Sequence, residues 1–206
     1  MKTFQKIVLL VAVLGMGALG ILGAEPISEV QNLPAAVEPT LGLPSDSAGI
    51  LYMREEEKLA RDVYLALYEI WGIRTFSNIA RSEQMHMDAI ALLIEANQLV
   101  DPAIGAKPGE FQNTDLASLY TSLVAQGSRS PQDGLIVGSI IEDLDIHDLE
   151  TYLSQTTDPG AIAVYTNLLR GSENHMRSFS RQLARYRIAY SPNYISQERL
   201  DSILYR

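Results

Sequence analysis

In the stretch ARSEQMHMDAI, residues 80–90, Glu83 and His86 stand three positions apart. On a helix that spacing lets a carboxylate and an imidazole reach one point. The face that carries them also carries Ile79 and Ile90, which a core would claim. An unpaired carboxylate there costs several kcal/mol or is forced to protonate. The pair therefore needs a partner, either a metal ion or a mutual hydrogen bond. Three more such interruptions follow from helical phase, at about 100° per residue. In REEEKLARDVY, Glu56 falls at the centre of the face made by Leu59, Ala60, Val63, Ala66, Leu67 and Ile70. Glu55 and Glu57 fall towards its edge or into solvent, where acids favour a helix start. In IIEDLDIHDLE, Glu142 sits mid-face with Asp145 three residues on, and His147 points elsewhere. In GSENHMRSF, His175 follows Ser172 by three, with Glu173 about 100° off the centre.

Carboxylates and imidazoles without sulfur suit iron or manganese, and zinc also fits the set. One inward group on each of four helices is the device of ferritin-like dinuclear carboxylate proteins. These take a Glu from each of two helices and Glu-x-x-His from each of the other two. Glu56, Glu83-x-x-His86, Glu142 and His175 occur in that chain order.

The elements that must position these groups are helical from about residue 48. A first helix runs to Trp71, before Gly72, and a second opens at Thr75 as its N-cap and runs to about Gln98. A looser stretch with Pro102, Gly105, Pro108 and Gly109 leads to a short helix over 114–126, capped by Thr114. Ser130-Pro131 and Asp158-Pro159 each pair an N-cap with proline at the first helical position, and so open two more long helices. These end near Ser154 and Tyr190. Tight turns make the first two helices one antiparallel hairpin and the last two another, while about thirty residues between them are enough to cross a bundle. The expected fold is all-α, a ferritin-like four-helix bundle over 48–190 with a long crossover containing a short helix. Residues 191–206 form a C-terminal tail with room for a short helix.

The ends of the composition bound the rest. MKTFQK followed by eighteen uncharged residues, 7–24, reads as an export signal cleaved near Ala24 or as an uncleaved membrane anchor. Residues 25–47 hold Pro26, Pro34, Pro39 and Pro44 and read as an extended linker. The net charge of −9 becomes −11 without Lys2 and Lys6, leaving 14 basic against 25 acidic residues. So acidic a chain excludes nucleic acid as a partner and admits the membrane only through residues 7–24. With no cysteine there are no disulfides, iron–sulfur clusters or thiol chemistry.

REEEKLARDVYLAL, FSNIARSEQMHM, IIEDLDIHDLE and GSENHMRSF in that order resemble DUF2202, a family of prokaryotic ferritin-like proteins of unassigned function. The resemblance covers about residues 48–188 and implies a metal site but no reaction. Helix four departs from the pattern, with Ser172-x-x-His175 where Glu-x-x-His is expected. That leaves Glu56, Glu83, His86, Glu142 and His175 as metal ligands. Asp145 adds a carboxylate, and Glu173 joins only if the helix is locally rewound. Three readings stand. The first is an exported redox protein in which two iron or manganese ions act on peroxide or dioxygen. The second is metal capture or storage without turnover. The third is a metal-free bundle whose Glu–His pairs are structural. Metal ions are the expected partners, and a homo-oligomer is compatible with all three.

Overall fold

The computed structural model describes residues 46–205; the expected export segment and nearly all of the expected linker, 1–45, lie outside them. Six helices make up the described residues, with no strand among them: α1 (Asp46–Trp71), α2 (Arg74–Ala96), α3 (Thr114–Gly127), α4 (Pro131–Gln155), α5 (Pro159–Arg185) and α6 (Gln197–Leu204). Helices α1, α2, α4 and α5 form the four-helix bundle, and α3 lies in the crossover against α1 and α4.

Cross-helix contacts fix the directions. Arg54 donates to Met87 O at 2.6 Å and Arg61 to Gln84 Oε1 at 2.6 Å, so α1 and α2 run antiparallel. Glu142–His175 and Asp145–Ser172 contacts do the same for α4 and α5. Tyr64 reaches Glu142 while Gly49 meets Tyr152, and Gln182 reaches Thr75 while His175 meets Glu83, which makes α1/α4 and α2/α5 antiparallel too. Helices α2 and α4 are therefore parallel across the diagonal, and the crossover must travel the length of the bundle between them.

The caps act largely as their chemistry dictates. Ser130 Oγ accepts from Asp133 N and Asp158 Oδ1 from Ala161 N, each before a proline at the first turn. Gly72, at φ 62°, ends α1 in the left-handed conformation that glycine adopts without Cβ strain, and its N–H donates to Tyr68 O. Two expected caps differ. The N-cap of α2 lies two residues earlier, at Ile73 and with no side-chain bond, and α3 is capped by Asn113 rather than Thr114. Ile70, expected in the core, is 47% exposed near the end of α1.

The segment after α5 is part of the fold. The Asp143 carboxylate in α4 accepts from the backbone N–H of Asn193, Tyr194 and Ile195 and from Tyr190 Oη. That carboxylate straps α6 down, where Leu200 and Ile203 pack on Ile146 and Met176.

The crossover explains the charged start of α1. Glu55 accepts from Gln112 N and Asn113 N. Lys58, fully buried, donates to Asp62 at 2.6 Å and Lys107 O at 2.8 Å and lies over the Phe111 ring. Arg54 pairs with Asp101 at 2.9 Å. Glu55, Lys58 and Arg54 are thus each partnered, as burial requires. Helix α1 consequently has no solvent face over 53–60.

Candidate metal centre

The bundle is apolar above and below one polar layer. On one side lie Ile50, Met53, Ile90 and Leu168; on the other, the rings of Tyr64, Phe76 and Phe179. Between them α2 brings Glu83 and His86, α5 brings His175, α4 brings Glu142, and α1 brings Glu57. Two trios result, Glu57–Glu83–His86 and Glu83–Glu142–His175, each with its ligand-type atoms within 4.8 Å of one another. Glu83 is common to both.

The distances make the arrangement concrete. His86 Nδ1 lies 2.8 Å from Glu83 Oε2 and 3.1 Å from Glu57 Oε2. His175 Nδ1 lies 2.9 Å from Glu83 Oε1 and 3.4 Å from Glu142 Oε2. The two imidazoles stack with centroids 5.6 Å apart. Tyr64 Oη donates to Glu142 Oε1 at 2.5 Å. Gly171 in α5 leaves room for the back of His86, since a Cβ there would sit 2.5 Å from Nε2.

Electrostatics in this layer is a balance between burial and pairing. Burial opposes charge on His86, yet Glu57 and Glu83 push its pKa up to about 12. Burial likewise opposes charge on His175, and Glu83 and Glu142 raise it well above the usual range. Burial works against the Glu83 carboxylate too, but His175 and His86 hold it down to about 2. Burial raises Glu57 to about 7, with His86 pulling the other way, and raises Glu142 despite His175. Among the described residues, the two imidazoles are the only ion-pair partners of these three carboxylates.

The layer fits a metal on its own geometry. Glu83 Oε1 and His175 Nδ1 are 2.9 Å apart, but neither has an aligned hydrogen bond. Glu57 Oε1 and Asp145 Oδ1 are also buried without a partner. Two ligands at right angles on one ion, with bonds of about 2.1 Å, lie about 3 Å apart. Close approach without donor alignment is what convergent ligands show. All the donors are oxygen or nitrogen, as iron, manganese or zinc accept.

Of the residues singled out in the sequence, Glu83, His86, Glu142 and His175 meet in this layer. Asp145 adjoins it: Ser172 Oγ donates to Asp145 Oδ2, and burial, followed by the Glu57 and Glu142 charges, raises its carboxyl well above the usual range. Glu56 does not join the trios; it is buried towards α4, beside Asp148 and Asp145. Glu173 turns outwards to Arg199 at 2.6 Å, with Arg177 3.9 Å away, and α5 is a continuous α-helix around it. His147 is, as expected, partly exposed, with Nδ1 2.7 Å from Asp148.

Glu57 is the residue the phase argument missed. Placed in solvent by that argument, it is 1% exposed. The error was to give α1 one buried face, when α2, α3 and α4 all pack against it. A signal was present: Ile50, Met53, Glu57, Ala60, Tyr64 and Leu67 repeat at three- and four-residue steps, the stripe of a bundle helix.

Comparison with known proteins bears on the fold and the family. A family described as an uncharacterized protein domain (DUF2202) matches residues 46–206. The uncharacterized protein MJ0754 of Methanocaldococcus jannaschii is 48% identical over 180 residues, covering 87% of this chain and 94% of the relative. The crystal structure of the hypothetical protein MJ0754 from Methanococcus jannaschii matches with a TM-score of 0.77 at 48% identity, covering 78% of this chain and 91% of that one. The chain belongs to the DUF2202 family, and the match includes α6.

Proposed function

We propose that this protein holds two divalent cations, iron or manganese, in the layer between its apolar halves, and that their chemistry is redox chemistry on peroxide or dioxygen. The observation that carries the reading is the shared Glu83. One carboxylate presents Oε2 to His86 and Oε1 to His175, so it is placed to bridge two positions. Glu57 with His86 would complete one position, and Glu142 with His175 the other.

Charge supports two ions rather than one. Glu57, Glu83, Glu142 and Asp145 are all nearly inaccessible to solvent. Four carboxylates in so dry a layer repel one another. Two imidazolium ions offset half of that charge, whereas two divalent cations with neutral imidazoles would offset all of it.

A bound pair of such ions supplies two one-electron changes and a Lewis-acidic surface for oxygen ligands. The protein's part is to position and to exclude. Tyr64 holds Glu142 by a hydrogen bond, and Ser172 holds Asp145. Gly171 lets His86 approach α5. The aliphatic and aromatic layers keep bulk water from both ends. With no cysteine in the chain, electrons must come from an external donor or from the metal itself.

The test is metal analysis of protein purified without a histidine tag, followed by peroxide consumption after loading with Fe(II) or Mn(II). Two equivalents bound and peroxide consumed is the expected result. Binding without consumption would favour capture or storage. No binding would leave the Glu–His contacts as structural pairs.

A further inference from the structure

Beside the metal layer, between α1 and α4, lies a second group of acids that the two trios do not use. Contacts on either side fix its place. Tyr64 meets Glu142 at one level, and Gly49 meets Tyr152 at another, so Glu56 lies opposite the turn holding Asp145 and Asp148. Glu56 is 2% exposed, and neither of its carboxylate oxygens has a hydrogen-bond partner. The Asp148 carboxylate, itself an acceptor, is within bonding reach. Asp145 Oδ1 on the inner side is likewise buried without a partner. Towards solvent, the Asp148 side chain is 16% exposed, and His147 stands beyond it. Tyr52 and Tyr152, with ring centroids 6.1 Å apart, lie beside the group, and both feel the Glu56 and Asp148 charges.

We propose that Glu56, with Asp148 outside it and Asp145 inside it, is a transit station for divalent cations passing from the surface to the metal layer. The proposal rests on the metal reading of that layer and adds to it the route of access. A buried carboxylate with both oxygens unpartnered is costly unless a cation or proton visits it. Here it lies between a partly exposed carboxylate and one that adjoins the centre. The three acids are not gathered within the 4.8 Å that marks the two trios, which suits passage rather than tight retention. A competing account makes Glu56 a protonated acid that donates to Asp148. Glutamine would preserve that bond through its amide N–H, which is why it separates the two accounts.

The experiment follows Co(II) uptake by the full-length apo-protein, in stopped flow by visible absorbance and at equilibrium by metal analysis. Glu56→Gln should fill the centre to the wild-type stoichiometry but more slowly, by roughly tenfold or more, since lined acidic clefts raise cation on-rates by that order. Asp148→Asn, altered near the surface where folding is least at risk, should also slow uptake and leave the final content unchanged. Wild-type rates in both variants would overturn the proposal and favour the hydrogen-bonded pair. Loss of equilibrium stoichiometry in Glu56→Gln would also overturn it, because Glu56 would then be a ligand of the centre itself. A wild-type chain that takes up no Co(II) would instead remove the metal reading, and the route with it.

Discussion

Glu83 offers its two carboxylate oxygens to two different histidines, Oε2 to His86 Nδ1 at 2.8 Å and Oε1 to His175 Nδ1 at 2.9 Å. A side chain shared in this way should be the hardest to replace. Glu83→Gln is expected to weaken both positions by about 100-fold or more, beyond the 10–100-fold usual for outer-sphere changes. Glu57→Ala should empty the His86 position alone and halve the metal content. Metal analysis across a Mn(II) titration separates these outcomes. Should Glu57→Ala keep full content, Glu57 is not a ligand.

Loading should release protons, and the sign follows from the pairing. With its pKa pushed up to about 12 by Glu57 and Glu83, against burial, His86 is an imidazolium at neutral pH, and so is His175. In the metal-free protein the His86 pairing stabilises the fold fully below an unfolded pKa of about 6.5. That contribution declines progressively as pH rises above that value and is gone once pH passes about 12. A cation must displace the Nδ1 proton from each ring, so filling both positions should release at least two protons near pH 7.5, with more from any carboxyl that burial keeps protonated. Metal affinity should therefore fall as pH falls. Calorimetry in two buffers of different ionisation enthalpy reads the proton count. A count near zero would place the cations on surface carboxylates instead.

Asp143 offers a stability test that leaves the Glu–His layer alone. Its carboxylate receives three consecutive backbone N–H groups and the Tyr190 hydroxyl. Asp143→Asn replaces one acceptor oxygen with a donor facing those donors. Buried donors left unpaired cost about 1–3 kcal/mol each, so a loss of roughly 2–3 kcal/mol is expected. Chemical denaturation should show it, and limited proteolysis should cut within 188–196. An unchanged midpoint would mean that α6 is held by Leu200 and Ile203 alone.

How far the sequence could be read depends on what each signal assumes. Ser130-Pro131 and Asp158-Pro159 are local chemistry and placed the starts of α4 and α5 to the residue, whereas α5 ends at Arg185, five residues before the expected Tyr190. The Glu83–His86 spacing needed only one helix to be right. Glu57 needed the number of neighbours around α1, which helical phase does not contain; the crossover that covers α1 is pinned by Lys58, Asp62 and Glu55 over forty or more residues of chain. The role of Asp143 was hidden for the same reason. A lone Asp in a run of alternating acids carries no mark of the loop fifty residues on that it will anchor.

Ser172 is where the chain departs from the expected Glu-x-x-His, and its surroundings suggest that a carboxylate has changed helix. Ser172 is fully buried, and its hydroxyl donates to Asp145 Oδ2, while Oδ1 is buried without a partner. Asp145 on α4 thus stands where a Glu at 172 on α5 would reach. Ser172→Ala should free Asp145 and weaken metal retention by about tenfold, as loss of an orienting hydrogen bond does. Ser172→Glu alone should not improve retention, because a second carboxylate would be driven against Asp145 in a dry site and destabilise the fold. Combining Ser172→Glu with Asp145→Ser exchanges the two groups and should restore both stability and metal content. Thermal denaturation and metal analysis of the two single variants and the double variant decide the matter. If Ser172→Glu alone binds as well as wild type, or Asp145→Ser alone changes nothing, Asp145 is not the carboxylate that completes the layer.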